Sequence, residues 1–160
     1  MSTTVRRPLV AFMALAAALA LLVPVLAGRA GAADSTVYIV HGIPGVAVDV
    51  YAGGTAPENK VLTDFQYGDV AGPLSIPAGS LPVVVVATGD DPTVPGNQVI
   101  NQTLDVPSGA NVSVAADLVG GAPTLTPFVN DVSAVPEGSS RVTVRHAADA
   151  PPVNVLVNGQ

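Results

Sequence analysis

The sequence of 160 residues contains no cysteine and no tryptophan. Without cysteine the chain forms no disulfide, no thiolate nucleophile and no zinc–thiolate site. Aromatic residues make up only 4% and charged residues 11% of the chain, although 49% of it is hydrophobic. The hydrophobic residues are therefore mostly alanine and valine. A composition of this kind, with 16 glycines and 15 prolines, is typical of many short strands joined by tight turns.

Residues 1–33 are typical of a secretory signal peptide. Arg6 and Arg7 form a positive start, Leu9–Ala27 carries no charge, and residues 30–32 are small, as a signal peptidase requires. We expect cleavage after residue 32 or 33 and export to the cell wall or beyond. An uncleaved membrane anchor is the alternative, because the apolar run approaches the length that spans a bilayer.

Removal of this segment leaves an acidic chain. Three cations (Lys60, Arg141 and Arg145) stand against twelve carboxylates, which gives a net charge of −9. Nucleic acid binding requires a cationic face, and an anionic membrane surface repels such a protein. The sequence therefore predicts no nucleic acid partner and no membrane contact beyond the signal segment. An extracellular protein or glycan is the expected kind of partner.

The mature chain shows eight segments with the residue pattern of β-strands, separated by Gly- and Pro-rich turns. The first two are expected to pair with each other, and Val83–Val86, apolar at every position, is expected to be covered on both faces. Their spacing predicts an all-β, antiparallel, immunoglobulin-like β-sandwich preceded by an N-terminal signal helix. The predicted strands are Thr36–Val40, Val46–Ala52, Val61–Tyr67, Leu74–Ile76, Val83–Val86, Val99–Val106, Val112–Leu118 and Pro123–Phe128.

The chain also matches itself when it is shifted by 105 residues. His41 then lies on His146, Val48 on Val153 and Val50 on Val155, without a gap. A spacing of ~100 residues suits tandem domains. We predict a sandwich domain at 34–131, a linker at 132–140 and the truncated start of a second copy at 141–160. Docking of 141–157 on the edge of the first domain is the alternative, since two strands alone form no stable domain.

Several of these segments resemble a known family in their order and spacing. The family is the domain of unknown function 4397, found in secreted and cell-surface bacterial proteins, which opens close to V-R-x-x-H-A-S-P-D-A-P-x-V-D-V-Y-V-D-G. The first copy keeps His41 and Val48–Tyr51, but its turn lacks the P-D-A-P element. The resemblance implies an extracellular β-sandwich and no agreed activity. The similar segments are RHAADAPPVNV at 145–155, FQYGDV at 65–70, LSIPAG at 74–79 and TPFVND at 126–131.

His41 and His146 are the only histidines, and each directly follows a valine-rich run with the pattern of a strand. Either could be a metal ligand or a general base, or an imidazole that hydrogen-bonds the backbone of the following turn. Asp149, the acid nearest His146, corresponds to Pro44 in the first copy, so a fixed His–Asp pair is not part of the repeat. No further histidine or cysteine completes a transition-metal site. We therefore predict structural turn histidines and no catalytic residue.

The carboxylates provide few candidates for a site. Asp90 and Asp91 are the only candidates for a metal site, which would hold Ca²⁺, but no complete ligand pattern surrounds them. Asp64 and Asp69 could form a glycosidase pair, which the lack of tryptophan for sugar stacking disfavours. The motifs of serine hydrolases and phosphate loops are missing from the sequence. We predict no cofactor.

Three functional hypotheses follow. The first is a non-catalytic secreted or cell-envelope module, structural, adhesive or partner-binding, that uses loops such as Gly89–Asn97. The second is an envelope hydrolase acting on carbohydrate or peptide, which requires His41 in an open cleft beside Asp49 or Asp69. The third is a surface repeat stiffened by calcium, whose melting temperature would respond to the ion.

Overall fold

The computed structural model describes residues 31–158, so residues 1–30 of the predicted signal helix lie outside the described part. Short 3-10 turns at Pro57–Asn59 and Pro95–Asn97 precede the third and sixth strands. In residues 31–158 no helix is both long enough and apolar enough to cross a bilayer. The strands are β1 (Ser35–His41), β2 (Val48–Ala52), β3 (Lys60–Phe65), β4 (Val70–Ile76), β5 (Gly79–Ala87), β6 (Gln98–Val106), β7 (Asn111–Val119) and β8 (Ala122–Val129).

The eight strands form two four-stranded sheets. Sheet A has the order β4-β1-β7-β8 and sheet B the order β3-β2-β5-β6. Every neighbouring pair is antiparallel except β1 and β7, which run in the same direction. This parallel pair needs no crossover helix, because the chain between its strands builds sheet B and β4. The prediction of an all-β sandwich dominated by antiparallel pairs is confirmed.

One detail of the predicted pairing is wrong: β1 and β2 do not pair with each other. Strand β1 lies between β4 and β7, whereas β2 lies between β3 and β5 in the other sheet. Residues 42–47 therefore cross from sheet to sheet, and the apolar faces of β1 and β2 both point into the space between the sheets. The N–H of Gly42 donates to the carbonyl of Ala116 at 2.9 Å, and a Cβ on Gly42 would lie 2.8 Å from that oxygen. Glycine thus lets the crossing chain lie directly against β7.

Alternating side chains build the core between the sheets. Val83 and Val85 of β5 face this core, while Val84 and Val86 pack with Tyr51 on the outer side of sheet B. Val86 is completely buried, so the predicted strand covered on both faces is present. The interior keeps an apolar cavity of about 60 Å³. The other core residues are Val37, Val48, Val50, Phe65, Ile100, Leu104, Val112, Val114 and Leu125.

Successive strands run in opposite directions, so their connections collect at two ends of the sandwich. The links β1–β2, β3–β4, β5–β6 and β7–β8 share one end, which we call the His41 end. There the backbone of His41 exchanges two hydrogen bonds with the β3–β4 turn, donating to the carbonyl of Asp69 at 3.0 Å and accepting from the N–H of Gly68 at 2.9 Å. The fold thus bonds His41 to two connecting segments, the crossing turn and the β3–β4 turn.

Beyond residue 129 the described chain contains no strand and runs back along β8. The Arg145 guanidinium lies 4.9 Å from the ring centroid of Phe128 and donates to Oδ1 of Asn130 at 2.7 Å. Asp149 accepts from the N–H of Gly121 at 2.7 Å. Within residues 31–158, no backbone hydrogen bond joins this segment to β8, so side chains alone hold it there. That it begins a second copy remains a prediction.

Candidate functional site

His41 ends β1 and is 4% exposed. Nε2 lies 3.3 Å from the carbonyl oxygen of Val46, and Nδ1 accepts from the N–H of Ile43 at 3.3 Å. The ring also packs against Phe65, with centroids 5.8 Å apart. These partners require the neutral tautomer with hydrogen on Nε2, because Nδ1 must keep its lone pair to accept. The ring thus ties together the two ends of the turn that crosses between the sheets.

His146, by contrast, is exposed, and the described part of the chain gives its ring no hydrogen bond. The sequence similarity between 35–54 and 140–159 therefore does not extend to the surroundings of the two histidines. His41 is bonded to the following turn, as the sequence suggests for both residues. His146 lies in the segment beside β8, where no strand precedes it.

Asp49 is the most buried carboxylate, with 1% of its surface exposed. It lies on the outer side of sheet B, since its neighbours Val48 and Val50 face the core. Oδ2 accepts from the Lys60 ammonium at 2.7 Å and from the N–H of Gly89 at 3.4 Å. Oδ1 accepts from the N–H of Asp64 at 3.0 Å. The carboxylate thus joins β2, β3 and the β5–β6 connection.

The ionisation of Asp49 reflects two opposing effects. Burial, the largest effect, raises the pKa of the carboxyl because it penalises the charged form. The hydrogen bonds from Lys60, Asp64 and Gly89, together with the charge of Lys60, outweigh burial and leave the pKa below its usual value of 3.8. The same ion pair raises the pKa of Lys60 above 10.5, mainly through the hydrogen bond to Asp49. Both groups are therefore charged around neutral pH.

His41 and Asp49 do not form a pair. The imidazole points into the space between the sheets, whereas the carboxylate lies on the far side of sheet B. Asp69 contributes its backbone carbonyl to the N–H of His41, and its Oδ2 accepts from the N–H of Gln66 at 2.9 Å. Asp64 is exposed, and its backbone N–H donates to Oδ1 of Asp49. The fold therefore separates His41 from Asp49, whereas Asp69 contacts His41 through its backbone.

The calcium candidates lie in the β5–β6 connection. Oδ1 of Asp91 accepts from the N–H and the hydroxyl of Thr93, at 2.8 and 2.7 Å. These bonds, the hydroxyl first, lower the pKa of Asp91 below 3.8. Asn97 donates its side-chain amide to the carbonyl of Asp91 at 3.2 Å. No cluster of three or more potential metal ligands occurs among residues 31–158.

A pocket of about 180 Å³ lies beside His41, and the sequence does not reveal it. The crossing turn forms one wall and the upper parts of β5 and β6 form the other. Val46 and Val99 line it and are 62% and 45% exposed, so the pocket opens to solvent. The only sign of the pocket in the sequence is that two apolar residues, Val46 and Val99, are placed beside turns. The lining residues are His41, Ile43, Pro44, Val46, Val48, Val85, Ala87, Val99, Ile100 and Ala116.

The fold and this end of the molecule define a class: a two-sheet β-sandwich domain with an apolar pocket at one end, between the crossing turn and strands β5 and β6. A family model described as a domain of unknown function (DUF4397) matches residues 35–156, and the chain belongs to this family. The match is a single copy, and it shows no second one. A comparison with curated protein sequences gives no match.

Proposed function

We propose that the protein is a non-catalytic secreted or cell-envelope module that binds an extracellular partner at the His41 end. The observation that carries this proposal is the open apolar pocket, formed where the crossing turn meets β5 and β6. Rigid sandwiches commonly present recognition surfaces on their loops, and ligand pockets are concave and mainly apolar. The signal-like N-terminal segment supports export.

The polar groups at this end support binding rather than catalysis. A general base needs a nitrogen or oxygen that can reach a substrate proton. Both ring nitrogens of His41 face turn backbone, and both oxygens of Asp49 already accept hydrogen bonds. The hydrolase hypothesis requires these groups to be released, and the calcium hypothesis requires Asp91 to give up Thr93. No contact among the described residues specifically supports the hydrolase hypothesis or the calcium hypothesis.

The test is a selection of random peptides displayed on phage against purified residues 34–160. Selected peptides are titrated into the labelled protein, and the shifted amide resonances identify the contact surface. Binding is expected to shift residues 42–47 and 88–99. Ala87→Phe, which fills the pocket, is expected to weaken binding at least about tenfold, whereas Val129→Phe at the opposite end is the matched control.

Two results would overturn the proposal. One is a set of selected peptides that bind elsewhere and tolerate Ala87→Phe. The other is turnover of a polysaccharide or peptide substrate by the purified protein that Asp69→Asn abolishes, since this would place catalysis at the same end. Melting curves of each variant exclude a loss of binding through unfolding.

A further inference from the structure

The charges of the described chain are distributed unevenly over the sandwich. Seven carboxylates lie at the His41 end or on the strand residues next to it. One cation reaches this group, the ammonium of Lys60, and it is bound to Asp49. Arg141 pairs with Asp131 near the opposite end, and Arg145 stacks on Phe128. The seven carboxylates belong to Asp49, Asp64, Asp69, Asp90, Asp91, Asp117 and Asp149.

Two exposed carboxylates are closely connected to the pocket. The N–H of Asp90 donates to the carbonyl of Ala87, a pocket-lining residue, at 3.0 Å. The carbonyl of Asp69 accepts from the N–H of His41, which also lines the pocket. Both residues are exposed. Each of these exposed acidic residues is thus one backbone hydrogen bond away from a residue that lines the pocket.

Exposed apolar side chains are concentrated at the same end. Of the eight large apolar residues that are exposed within residues 35–129, six lie there, and two of them, Val46 and Val99, line the pocket. Exposed apolar surface of this kind marks an interaction site. The pocket volume of about 180 Å³ is sufficient for one side chain, since a cavity of about 150 Å³ accommodates a benzene ring. The six residues are Val46, Tyr67, Val70, Val94, Val99 and Val119.

We infer that the His41 end binds a cationic peptide segment of a partner protein, which places one apolar side chain in the pocket and lysine or arginine residues beside Asp69 and Asp90. This rests on the proposed function and names the chemistry of the partner. The pocket supplies the apolar contact area, and the carboxylates accelerate association with positive partners. They also repel anionic glycans and acidic proteins, because like charges across an interface oppose binding.

The experiment uses the peptides selected on residues 34–160 and measures their affinities by fluorescence anisotropy at 50 and 300 mM NaCl. The expected peptides combine Leu, Ile or Phe with neighbouring Lys or Arg, and bind more weakly at the higher salt concentration. Asp69→Asn combined with Asp90→Asn is expected to weaken binding about three- to tenfold. Asparagine at position 69 keeps the acceptor for Gln66, so the turn is preserved.

The matched control is Glu58→Gln combined with Asp105→Asn. It removes the same number of exposed charges from the opposite end and is expected to leave affinity unchanged. Peptides that bind the pocket without positive residues, or with no response to salt and to the Asp69/Asp90 variant, would overturn the cationic partner while the proposed function stands. Selected peptides that contact no residue of the His41 end would overturn both.

Discussion

The ammonium of Lys60 lies 2.7 Å from Oδ2 of Asp49, a carboxylate that is almost entirely removed from water on the outer side of sheet B. Two backbone N–H groups, from Asp64 and Gly89, complete its set of donors. In a chain with few charges, this arrangement connects two strands and the β5–β6 connection. It explains why one acidic residue lies between two core valines without disrupting the fold, because each oxygen has a partner.

Asp49→Asn is expected to lower the free energy of unfolding by about 1.5–3 kcal/mol, the range for hydrogen bonds to a charged group. Both oxygens of Asp49 accept, so the amide of asparagine must direct an NH₂ group at a donor. Urea unfolding followed by circular dichroism measures the change. Asp105→Asn, an exposed residue, is the control and is expected to stay within about 0.5 kcal/mol of the parent. Equal effects from the two variants would contradict this role for Asp49.

The stabilisation from Asp49 is expected to depend on pH. Its pKa is lower in the folded state than the ordinary value of 3.8, so the contribution is fully present above that value. It decreases as the pH falls through the folded-state pKa. Lys60 has a raised pKa, so its contribution is present below 10.5 and decreases as the pH rises through the folded-state pKa.

Unfolding of the parent and of Asp49→Asn at a series of pH values measures this dependence. The difference in unfolding free energy between the two proteins is expected to be constant around neutral pH and to shrink below pH 3.8, the ordinary value of the carboxyl. A difference that stays the same down to pH 2 would show that the charge of Asp49 is not the source of its effect.

His41→Ala is expected to destabilise the protein by about 2–4 kcal/mol, since it leaves a cavity against Phe65 and removes the partners of two turn groups. Hydrogen exchange at the Ile43 amide should accelerate more than exchange at Val114 in β7. His146→Ala is the natural control, because that ring is exposed, and a change within about 0.5 kcal/mol is expected. Similar losses for both histidines would argue against the assignment.

Comparing Gly72→Ala with Gly79→Ala distinguishes the effect of steric crowding on stability from the effect of backbone conformation. Both glycines have a positive φ, +133° and +126°, so alanine is unfavourable at each. A Cβ at Gly72 would also lie 2.8 Å from Cδ1 of Tyr38 and from the carbonyl of Val37, whereas nothing lies within 4 Å at Gly79. Gly72→Ala should therefore cost about 1–3 kcal/mol more in the free energy of unfolding. Equal melting temperatures would show that β4 moves freely away from β1.

Much of the fold is predictable because strand patterns are local. The segment Val83–Val86 lies inside β5, and Val99–Val106 differs from β6 by one residue. The pairing of β1 with β2 is where local reasoning is wrong. Residues 42–47 contain glycine and proline, as a hairpin turn would, yet they cross between the sheets. The crossing is favoured because it buries Val37 and Val48 on opposite walls of one core, and this requirement is not visible in the local sequence.

The candidate site is less predictable than the strands. The hydrogen bonds from the His41 ring are local, with partners at positions 43 and 46, so the sequence can suggest them. The sequence also proposes Asp49 as an acid beside His41, but alternation along β2 places its carboxylate on the other side of sheet B. The pocket depends on Ala87 and Val99 lying opposite the crossing turn. Such a gap is a property of packing and has no signature in composition.

The amino-acid sequence alone determined the number of strands, the valine-rich core and the acidic charge, because alternation and charge depend on the nature and order of neighbouring residues. The tertiary structure decided which strands share a sheet, which carboxylate receives Lys60 and where the surface opens beside His41. These depend on contacts between residues far apart in the chain, which form only when two sheets bury their apolar faces against each other.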